Sequence, residues 1–293
     1  MPVQPEACKR ILAECLPRLE IHDIHVIEDG WSSLVLEIDG DTIFRFARWP
    51  ETEAQFRKEI ALLPELAAAL PVAVPRIEFS WMDCRGCEIA FVGYRKIPGV
   101  PLDRVGSSPR LAIQLALFLS ALHRFPVEQA AQLGAPDLRP PAWQREYEDL
   151  YRWAQANVLP LLDPSARPKA ARLWERFLGD EANLRFRAAL IHRDLGAEHI
   201  LCDPGAARVI GVIDWGDACI GDPALDFVGL RAGLGQRFAE EVAAAYTGEI
   251  DATLWERAAF YLAIIPFYHI QYAQMISDEA LLREGVERLN HLP

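Results

Sequence analysis

Apolar and polar residues alternate over short runs in the first 97 residues, which predicts a small sheet with one long helix. Residues 34–38 and 42–46 flank the turn pair Gly40-Asp41, as expected of two strands joined by a tight hairpin. Residues 51–70 instead carry apolar side chains at helical spacing. The whole pattern predicts five antiparallel strands, over residues 26–28, 34–38, 42–46, 75–81 and 88–95.

In the rest of the chain the apolar positions recur mainly at helical spacing. Apolar runs at residues 200–202 and 209–213 are the exceptions and predict the two strands of a hairpin. The chain is thus predicted to be an α+β protein, with a small amino-terminal lobe of residues 1–97 and a larger, mainly helical lobe of residues 98–293. Helices are expected over residues 110–123, 141–162, 238–246 and 254–276, with one helix or two over residues 172–186.

Composition narrows the class of protein. The chain has 293 residues, of which 51% are hydrophobic, enough for a well-buried core. No uncharged apolar run approaches about 20 residues, so neither a membrane span nor a membrane partner is expected. The net charge of −12 argues against a nucleic acid as partner. It is compatible with simple solubility and also with a cationic ligand, and a monomer or dimer is expected.

The cysteines and the amino terminus predict a cytoplasmic protein. Six cysteines are scattered along the chain, as expected of reduced thiols. The first residues carry charges throughout and no apolar segment, which predicts an amphipathic helix and no signal peptide. Cys84 and Cys87 form a CxxC pair between two predicted strands. We interpret it as a hairpin turn, with a redox or metal role as the alternative, because no second pair of soft ligands is evident.

Two acidic clusters stand one predicted hairpin apart. His192-Arg193-Asp194 precedes the hairpin together with His199, and Asp214-Trp215-Gly216-Asp217 follows it. A hairpin brings the residues before its first strand close to those after its second, so Asp194, His199 and Asp214 are expected to converge. Phosphoryl transfer needs such a site, because one carboxylate takes the proton of the attacking hydroxyl and another holds magnesium, a hard cation that prefers oxygen.

A third acidic pair follows the second cluster and is interpreted as its support. Asp222-Pro223 and Asp226-Phe227 are typical of a helix cap and a loop anchor, with substrate contact as the alternative. Single aspartates are common in turns, but the three clusters together are much more specific for a kinase-type site. His123, at the end of a predicted helix, is interpreted as a structural, capping histidine.

With these motifs the chain resembles the aminoglycoside phosphotransferase family, small-molecule kinases with a two-lobed protein-kinase-like fold. The resemblance extends over nearly the whole chain and is sharpest where HRDLGAEHIL is followed by IDWGDA and DPALDF. His199 stands where most kinases have asparagine, as in the aminoglycoside 2″-phosphotransferases and the macrolide 2′-phosphotransferases. The resemblance implies Asp194 as the catalytic carboxylate, ATP or GTP as phosphoryl donor, and Asp214 with His199 as the Mg²⁺ site. Because imidazole binds magnesium poorly, His199 acts either on the metal or through a hydrogen bond or metal-bound water.

The nucleotide is expected to bind the amino-terminal lobe. Ser32 and Ser33 lie in a Gly/Ser loop between two strands, where hydroxyls and N–H groups can cover phosphates; a plain hairpin is the alternative. In kinases a strand lysine pairs with a helix glutamate, and these positions here hold Arg45 and Glu59. Arginine keeps the charge but changes the geometry, and a surface salt bridge is the alternative. The segment that resembles the hinge of the family places the base beside Tyr94, Arg95, Lys96 and Ile97; an edge strand leading into a Pro-Gly turn is the alternative.

The acceptor hydroxyl must reach Asp194, and four nearby residues are candidates for substrate contact: Glu198, Asp217, Arg231 and Tyr268. An aminoglycoside is expected first, because carboxylates bind its ammonium groups. The segment after Phe227 lacks acidic residues, and aromatic residues are frequent in 260–272, which supports a macrolide as the alternative. Ordinary helix packing also explains such aromatics. Further alternatives are a sugar, choline or homoserine kinase of the same fold and a catalytically weak nucleotide-binding module. A metal-dependent hydrolase is a further, weaker alternative, because the sequence contains no HExxH or HxH motif.

Overall fold

The computed structural model describes residues 4–27, 31–82, 89–203 and 205–292. The amino-terminal part consists of α1 (Pro5–Cys15), β1 (Ile24–Ile27), β2 (Ser33–Ile38), β3 (Thr42–Ala47), α2 (Pro50–Ala69), β4 (Ile77–Trp81) and β5 (Phe91–Arg95). The strands form one sheet in the order β1-β2-β3-β5-β4, with every neighbouring pair antiparallel. The predicted five-stranded antiparallel sheet is confirmed.

The β2–β3 hairpin has the geometry expected from its sequence. Asp39 and Gly40 adopt positive φ angles of 51° and 73°, which a tight hairpin turn requires. Alternate residues of β2 are buried against α1 in one apolar cluster. The opposite face of the sheet carries Arg45, whose side chain reaches Glu59 of α2. The helix α2 therefore covers this second face and lies between the sheet and the rest of the chain.

The carboxy-terminal part is mainly helical, with short strands on either side of the two acidic clusters around Asp194 and Asp214. Its helices are α3 (Leu102–Val105), α4 (Pro109–Leu122), α5 (Val127–Gln132), α6 (Pro140–Asn157), α7 (Arg167–Gly179), α8 (Val228–Leu234), α9 (Gln236–Ala245), α10 (Leu254–Ile276) and α11 (Glu279–Asn290). Its strands are β6 (Val100–Pro101), β7 (Ala189–Ile191), β8 (Ile200–Asp203), β9 (Arg208–Val212) and β10 (Cys219–Gly221). The β6-β8-β9 sheet and the β7–β10 pair hold the loops that carry the acidic clusters.

Most predicted elements are found within a few residues of their expected bounds. Residues 172–186, expected to form one helix or two, contain the end of α7 and a 3₁₀ turn over Glu181–Leu184, which starts where the side chain of Asp180 accepts from the N–H of Ala182. The helices α3, α5 and α11 and the strands β6, β7 and β10 were not predicted. Each of these strands has at most three residues and pairs with a distant segment, so no local pattern marks it.

The thiols of Cys8, Cys202 and Cys219 are buried and free, and the reduced state of the cysteines stays a prediction. The predicted turn at Cys84 and Cys87 lies outside the described residues, as does the end of the strand predicted over residues 26–28. Within the described ranges, the helices lack the combination of length and apolarity that crossing a bilayer requires.

Candidate active site

Asp194, His199 and Asp214 come together at the end of the β8–β9 hairpin. The backbone N–H of Ile213 donates to the carbonyl of His199 over 3.0 Å, which fixes the two ends of the hairpin side by side. One ligand atom from each of the three side chains lies within 4.8 Å of the other two. The convergence predicted from the spacing is therefore found, while the roles of the three residues stay predictions.

The imidazole of His199 stands between the two carboxylates. Its Nδ1 donates to the backbone carbonyl of Asp194 over 2.8 Å, and this bond fixes the tautomer. The Nε2 atom then lies 3.7 Å from a carboxylate oxygen of Asp214. Burial alone would lower the pKa of His199, but the two carboxylates outweigh burial and raise the pKa above its ordinary value.

The two carboxylates are in different electrostatic states. Although 55% of the Asp194 side chain is open to the cleft, desolvation by the surrounding protein raises its pKa to about 6, with His199 opposing the rise. Burial also acts on Asp214, but Arg45 and His199 outweigh it and hold the pKa of Asp214 below its ordinary value. Asp214 is thus a stable anion, and Asp194 takes up a proton just below neutral pH. The carboxylate oxygens fit the donor preference of Mg²⁺, whereas the imidazole nitrogen is the poorer donor for this ion.

The backbone is held in the left-handed region on both sides of this cluster. Arg193 has a φ of 73° and Asp214 a φ of 64°, conformations that are unfavourable for residues other than glycine and that concentrate at functional sites. The carboxylate of Asp226 stabilises the first of these turns, because it accepts from the N–H groups of His192 and Arg193 over 2.9 and 2.8 Å. Asp226 is thus a supporting residue, as predicted, but it anchors the turn before Asp194 and not the loop after the metal site.

His123 has the predicted structural role, since it is the C-cap residue of α4 and its N–H donates to the carbonyl of Leu119 over 2.9 Å. Its Nε2 lies 3.1 Å from a carboxylate oxygen of Asp226, and its Nδ1 lies 2.8 Å from the hydroxyl of Tyr246. The ring therefore orients Asp226, which in turn holds the catalytic-type loop. Residues this far apart in sequence give no local signal of such a contact.

Asp222 is the second supporting carboxylate, and the predicted cap is found. It accepts from the N–H of Ala224 over 3.0 Å. The same carboxylate accepts from Nε and Nη2 of the buried Arg257, at 2.6 and 3.0 Å, and from the hydroxyl of Tyr261 at 2.7 Å. This network fixes the segment after the second acidic cluster to α10.

Arg45 joins the sheet to the metal-type loop. Its NH1 donates to both carboxylate oxygens of Glu59, at 3.0 and 2.8 Å, and its NH2 lies 3.2 Å from Asp214. Both members of the Arg45–Glu59 pair are buried, so the surface salt bridge considered from the sequence is wrong. The planar fork of arginine allows one side chain to bind two separate carboxylates, which the point charge of lysine matches less well.

Ser32 and Ser33, two of the predicted nucleotide-contact residues, lie where β2 begins. The Ser33 hydroxyl is buried 3.5 Å from Nε of Arg45. The carbonyl of Ser32 is already bonded, since it accepts from the N–H of Arg48 and the hydroxyl of Thr52. These bonds fix the loop to the start of α2.

The hinge-type segment is more tightly bonded than its sequence indicates. The N–H of Lys96 donates to the carbonyl of Asp41 over 2.8 Å, so this position offers no free backbone donor to a purine. The side chains of Lys96 and Arg95 pair with Glu37 and Asp41. The Tyr94 side chain is buried in the sheet, and Ile97 packs beside Gly211 of β9. A base contact through backbone groups of Arg95 and Ile97 stays a prediction.

The four candidates for substrate contact lie in different surroundings. The carboxylate of Glu198 folds back over Gly196, and that of Asp217 accepts from the side chain of Gln55 over 3.1 Å. Tyr268 lies near Arg193, next to the loop that carries Asp194, and burial raises its pKa to about 12. Arg231 lies on α8, two residues from Gly229, which faces that loop. Residues two apart do not share a helix face, so Arg231 points elsewhere and its predicted contact gains no support.

The sequence interpretation missed the role of the two glycines in α8. A Cβ atom on Gly229 would lie 2.1 Å from the carbonyl oxygen of Leu195, and one on Gly233 would lie 3.0 Å from Cβ of Ala197. The helix therefore packs its backbone directly against the loop that carries Asp194. The spacing of four residues between the glycines is the signal that was available.

An aromatic contact at the mouth of the cleft was also missed. Trp31, at the loop before β2, stacks on Tyr272 of α10 with the ring centroids 4.2 Å apart and the planes 3° from parallel. The indole of Trp49 donates to the carbonyl of Trp31 over 3.1 Å. Trp31 remains 43% exposed, and Met275 and Ile276 lie exposed at the end of α10. The mouth is therefore partly apolar.

Comparison with known proteins agrees with this geometry. A model of the phosphotransferase enzyme family matches residues 23–261. The viomycin phosphotransferase of Streptomyces vinaceus is 30% identical over 198 residues, which are 65% of this chain and 66% of that protein. An uncharacterised protein of Bacillus subtilis is 28% identical over 191 residues, which span 64% of this chain and 60% of that protein. The alignments thus cover slightly less than two thirds of both relatives.

Solved structures match over a larger part of the chain. The GDP and kanamycin complex of APH(2″)-IIIa has a TM-score of 0.88 and 29% identity, covering 96% of both chains. The macrolide 2′-phosphotransferase of Brachybacterium faecium has a TM-score of 0.76 and 23% identity, covering 98% of this chain and 99% of that one, a similarity of fold. The two-lobed kinase-like fold inferred from the motifs is confirmed. The family match and the arrangement of the acidic loops together establish that this chain belongs to the phosphotransferase enzyme family.

Proposed function

We propose that this chain is a small-molecule kinase that transfers the γ-phosphoryl group of ATP or GTP to a hydroxyl of an antibiotic, with an aminoglycoside as acceptor. One observation carries the proposal. The carboxylates of Asp194 and Asp214 meet at His199 within 4.8 Å, next to the buried Arg45–Glu59 pair. Residues 1–97 act as the nucleotide-binding lobe and residues 98–293 as the catalytic and acceptor lobe.

Each residue of the cluster has one task in this proposal. Asp194 accepts the proton of the attacking hydroxyl, because its carboxylate is exposed to the cleft and has a raised pKa. Asp214 and His199 would hold Mg²⁺, which neutralises negative charge on the phosphates when it is bound. Arg45, fixed by Glu59, is directed towards the same place and binds phosphate oxygens there.

The acceptor class rests on charge and on the relatives. The chain carries a net charge of −12, and the carboxylates of Glu198 and Asp217 are exposed beside Asp194, which favours a cationic acceptor. One solved relative binds kanamycin together with GDP, and another relative is a viomycin phosphotransferase. The GDP complex is the reason to test GTP beside ATP.

A macrolide is the second candidate, and a specific observation favours it. The stacked pair of Trp31 and Tyr272, with the exposed Met275 and Ile276, provides apolar surface at the mouth of the cleft. A large acceptor with an apolar flank would bury this surface, whereas a highly charged acceptor would leave it in water. The two acceptors therefore differ in their dependence on Trp31.

The proposal is tested by measuring nucleotide consumption with ATP and with GTP against aminoglycosides, viomycin, macrolides and small alcohols such as choline, homoserine and sugars. We expect Mg²⁺-dependent turnover with at least one aminoglycoside. The Asp194→Ala variant is expected to lose about 10²-fold or more in turnover while it still binds nucleotide. Turnover confined to macrolides or small alcohols would contradict the acceptor, and an unimpaired Asp194→Ala variant would contradict the catalytic assignment.

A further inference from the structure

Lys58 is a buried cation on α2 whose partners are carbonyl oxygens. Its side chain reaches the loop that follows Asp214, where its Nζ donates to the carbonyls of Gly216 and Ala218 over 2.5 and 2.8 Å. Only 5% of the residue is exposed. Among the described residues no carboxylate forms an ion pair with Lys58. The position thus places a full charge in the interior, held mainly by two backbone dipoles.

A buried ammonium group is unfavourable unless its hydrogen bonds to the carbonyls of Gly216 and Ala218 are kept. Burial lowers the pKa of Lys58, and the nearby carboxylates of Glu59 and Asp217 only partly oppose it. Removing water from a cation costs several kcal/mol, so its remaining hydrogen bonds contribute strongly to the geometry around it. A lysine retained at this depth constrains the position of the loop that it binds.

The neighbours of Lys58 on α2 reach the same loop. Gln55, Lys58 and Glu59 are three and four residues apart and therefore share one face of the helix. Gln55 donates to Asp217 over 3.1 Å, and Glu59 reaches Asp214 through Arg45. This face, which we call the α2 cradle (Gln55, Lys58 and Glu59), contacts the loop at positions 214, 216, 217 and 218.

Within this cradle, Lys58 is the residue that binds the loop backbone. The loop begins at Asp214, whose left-handed φ of 64° is strained, and continues as a 3₁₀ turn over Trp215–Asp217. Arg45 acts on the Asp214 carboxylate itself, because its Nη2 donates to Oδ1 of Asp214 over 3.2 Å. The two bonds of Lys58 lie beyond the carboxylate, so they persist when the charge at Asp214 is neutralised.

We propose that Lys58 is a positioning residue for the metal site, which holds the loop after Asp214 against the nucleotide lobe so that the carboxylate is preset for a divalent cation. The inference rests on the proposed Mg²⁺-dependent transfer. Lys58 does not touch substrate or metal, and it acts only through the backbone of Gly216 and Ala218. Its effect is therefore expected on metal affinity and not on the affinity for nucleotide alone.

The test uses the full chain with Mn²⁺ as a spectroscopic probe and GDP as nucleotide. Lys58→Met keeps most of the stem and removes the donors, while Lys169→Met, which removes a surface lysine that donates to the carbonyl of Leu292 over 3.1 Å, is the matched control. Free Mn²⁺ is measured by electron paramagnetic resonance in the presence of GDP, and GDP binding is measured separately in a chelator. We expect Lys58→Met to weaken Mn²⁺ binding about tenfold or more, with metal-free GDP binding and the control unchanged.

Two results would overturn the proposal: a folded Lys58→Met variant that binds Mn²⁺ like the wild type, or an equal loss of Mn²⁺ and metal-free GDP binding. If Lys58→Met does not fold, Mn²⁺ binding is measured on Lys58→Gln and Lys58→Arg instead. Neither side chain places a compact ammonium group between the two carbonyls. Wild-type Mn²⁺ affinity in both would refute the role. A wild-type protein that binds Mn²⁺ in a Lys58-dependent way but phosphorylates no acceptor would contradict the proposed function alone.

Discussion

The packing of α8 against the loop that carries Asp194 predicts that Gly229→Ala impairs catalysis without disturbing nucleotide binding. A Cβ atom at position 229 would lie 2.1 Å from the carbonyl oxygen of Leu195 and 2.8 Å from Cα of Gly196. Both atoms belong to the backbone, so no side-chain rotation relieves the overlap. Either the helix or the loop has to move.

The size of the movement follows from the distances. Non-bonded atoms are at their optimum near 3.5 Å, so the overlap requires a shift of about 1 Å or more. Leu195 is adjacent to Asp194, and a misplacement of about 1 Å at a catalytic group lowers the rate by about 10²-fold. That loss corresponds to about 2.7 kcal/mol in activation free energy. The overpacking itself is expected to cost about 1–3 kcal/mol of stability.

The assay compares kcat, the KM for nucleotide and Tm with those of a matched control. Gly179→Ala also adds a methyl group to a helix residue, but nothing lies within 4 Å of that position. The control is expected to keep its kcat and to gain about 0.4–1 kcal/mol of stability. A Gly229→Ala protein that is folded at the assay temperature and keeps kcat within about threefold would refute the view that α8 fixes this loop.

Three further predictions concern pH, the acceptor and stability. The pKa of Asp194 is raised to about 6, and a catalytic base works only when it is ionised, so kcat/KM for nucleotide is expected to fall below pH 6. A profile that stays flat down to pH 5 would contradict the assignment of Asp194 as the base. With a macrolide as acceptor, Trp31→Ala is expected to raise the acceptor KM up to about tenfold, leave the nucleotide KM unchanged and be largely rescued in Trp31→Phe, whereas the KM for an aminoglycoside is expected to stay unchanged; equal effects on macrolide and nucleotide would count against an acceptor contact. Burial opposes ionisation of Asp251, but hydrogen bonds from Arg257 hold its pKa below the ordinary value, so its stabilising effect is present near neutral pH and is lost as pH falls. The Tm of Asp251→Asn is thus expected to fall less between pH 5 and 3 than that of the wild type, and parallel curves would show that the pair contributes no pH-dependent stability.

The sequence was a good guide wherever the deciding contacts are local. The hairpin between His199 and Asp214 spans about a dozen residues, and its apolar runs and turn allowed the convergence of the acidic residues to be inferred. The strands β2 and β3 and the helix α10 followed from periodicity in the same way. The DP pair also identified Asp222 as a cap, because a cap acts over a few residues, whereas Asp226 anchors His192 and Arg193 more than 30 positions away.

The sequence was a poor guide to contacts between distant elements. Bonds such as Arg45 to Asp214 and Lys58 to Gly216 join residues more than 150 positions apart. The sequence allowed Arg45 to form an ordinary surface salt bridge. In the structure Arg45 is buried and bonds both Glu59 and Asp214, because α2 packs between the sheet and the loop. Gly229 and Trp31 likewise gained their roles from neighbours that no periodicity specifies.

What the sequence determined by itself is therefore the type of each element and the local chemistry of the acidic loops, because helix and strand periods and turn residues act over a few positions. What only the tertiary structure decided is which elements face each other, and so the buried links from α2 to the metal loop and the close approach of α8. The physical reason is that such contacts form only when the whole core packs, since the entropy of closing long loops is overcome by burial summed over many residues and not by any one pair.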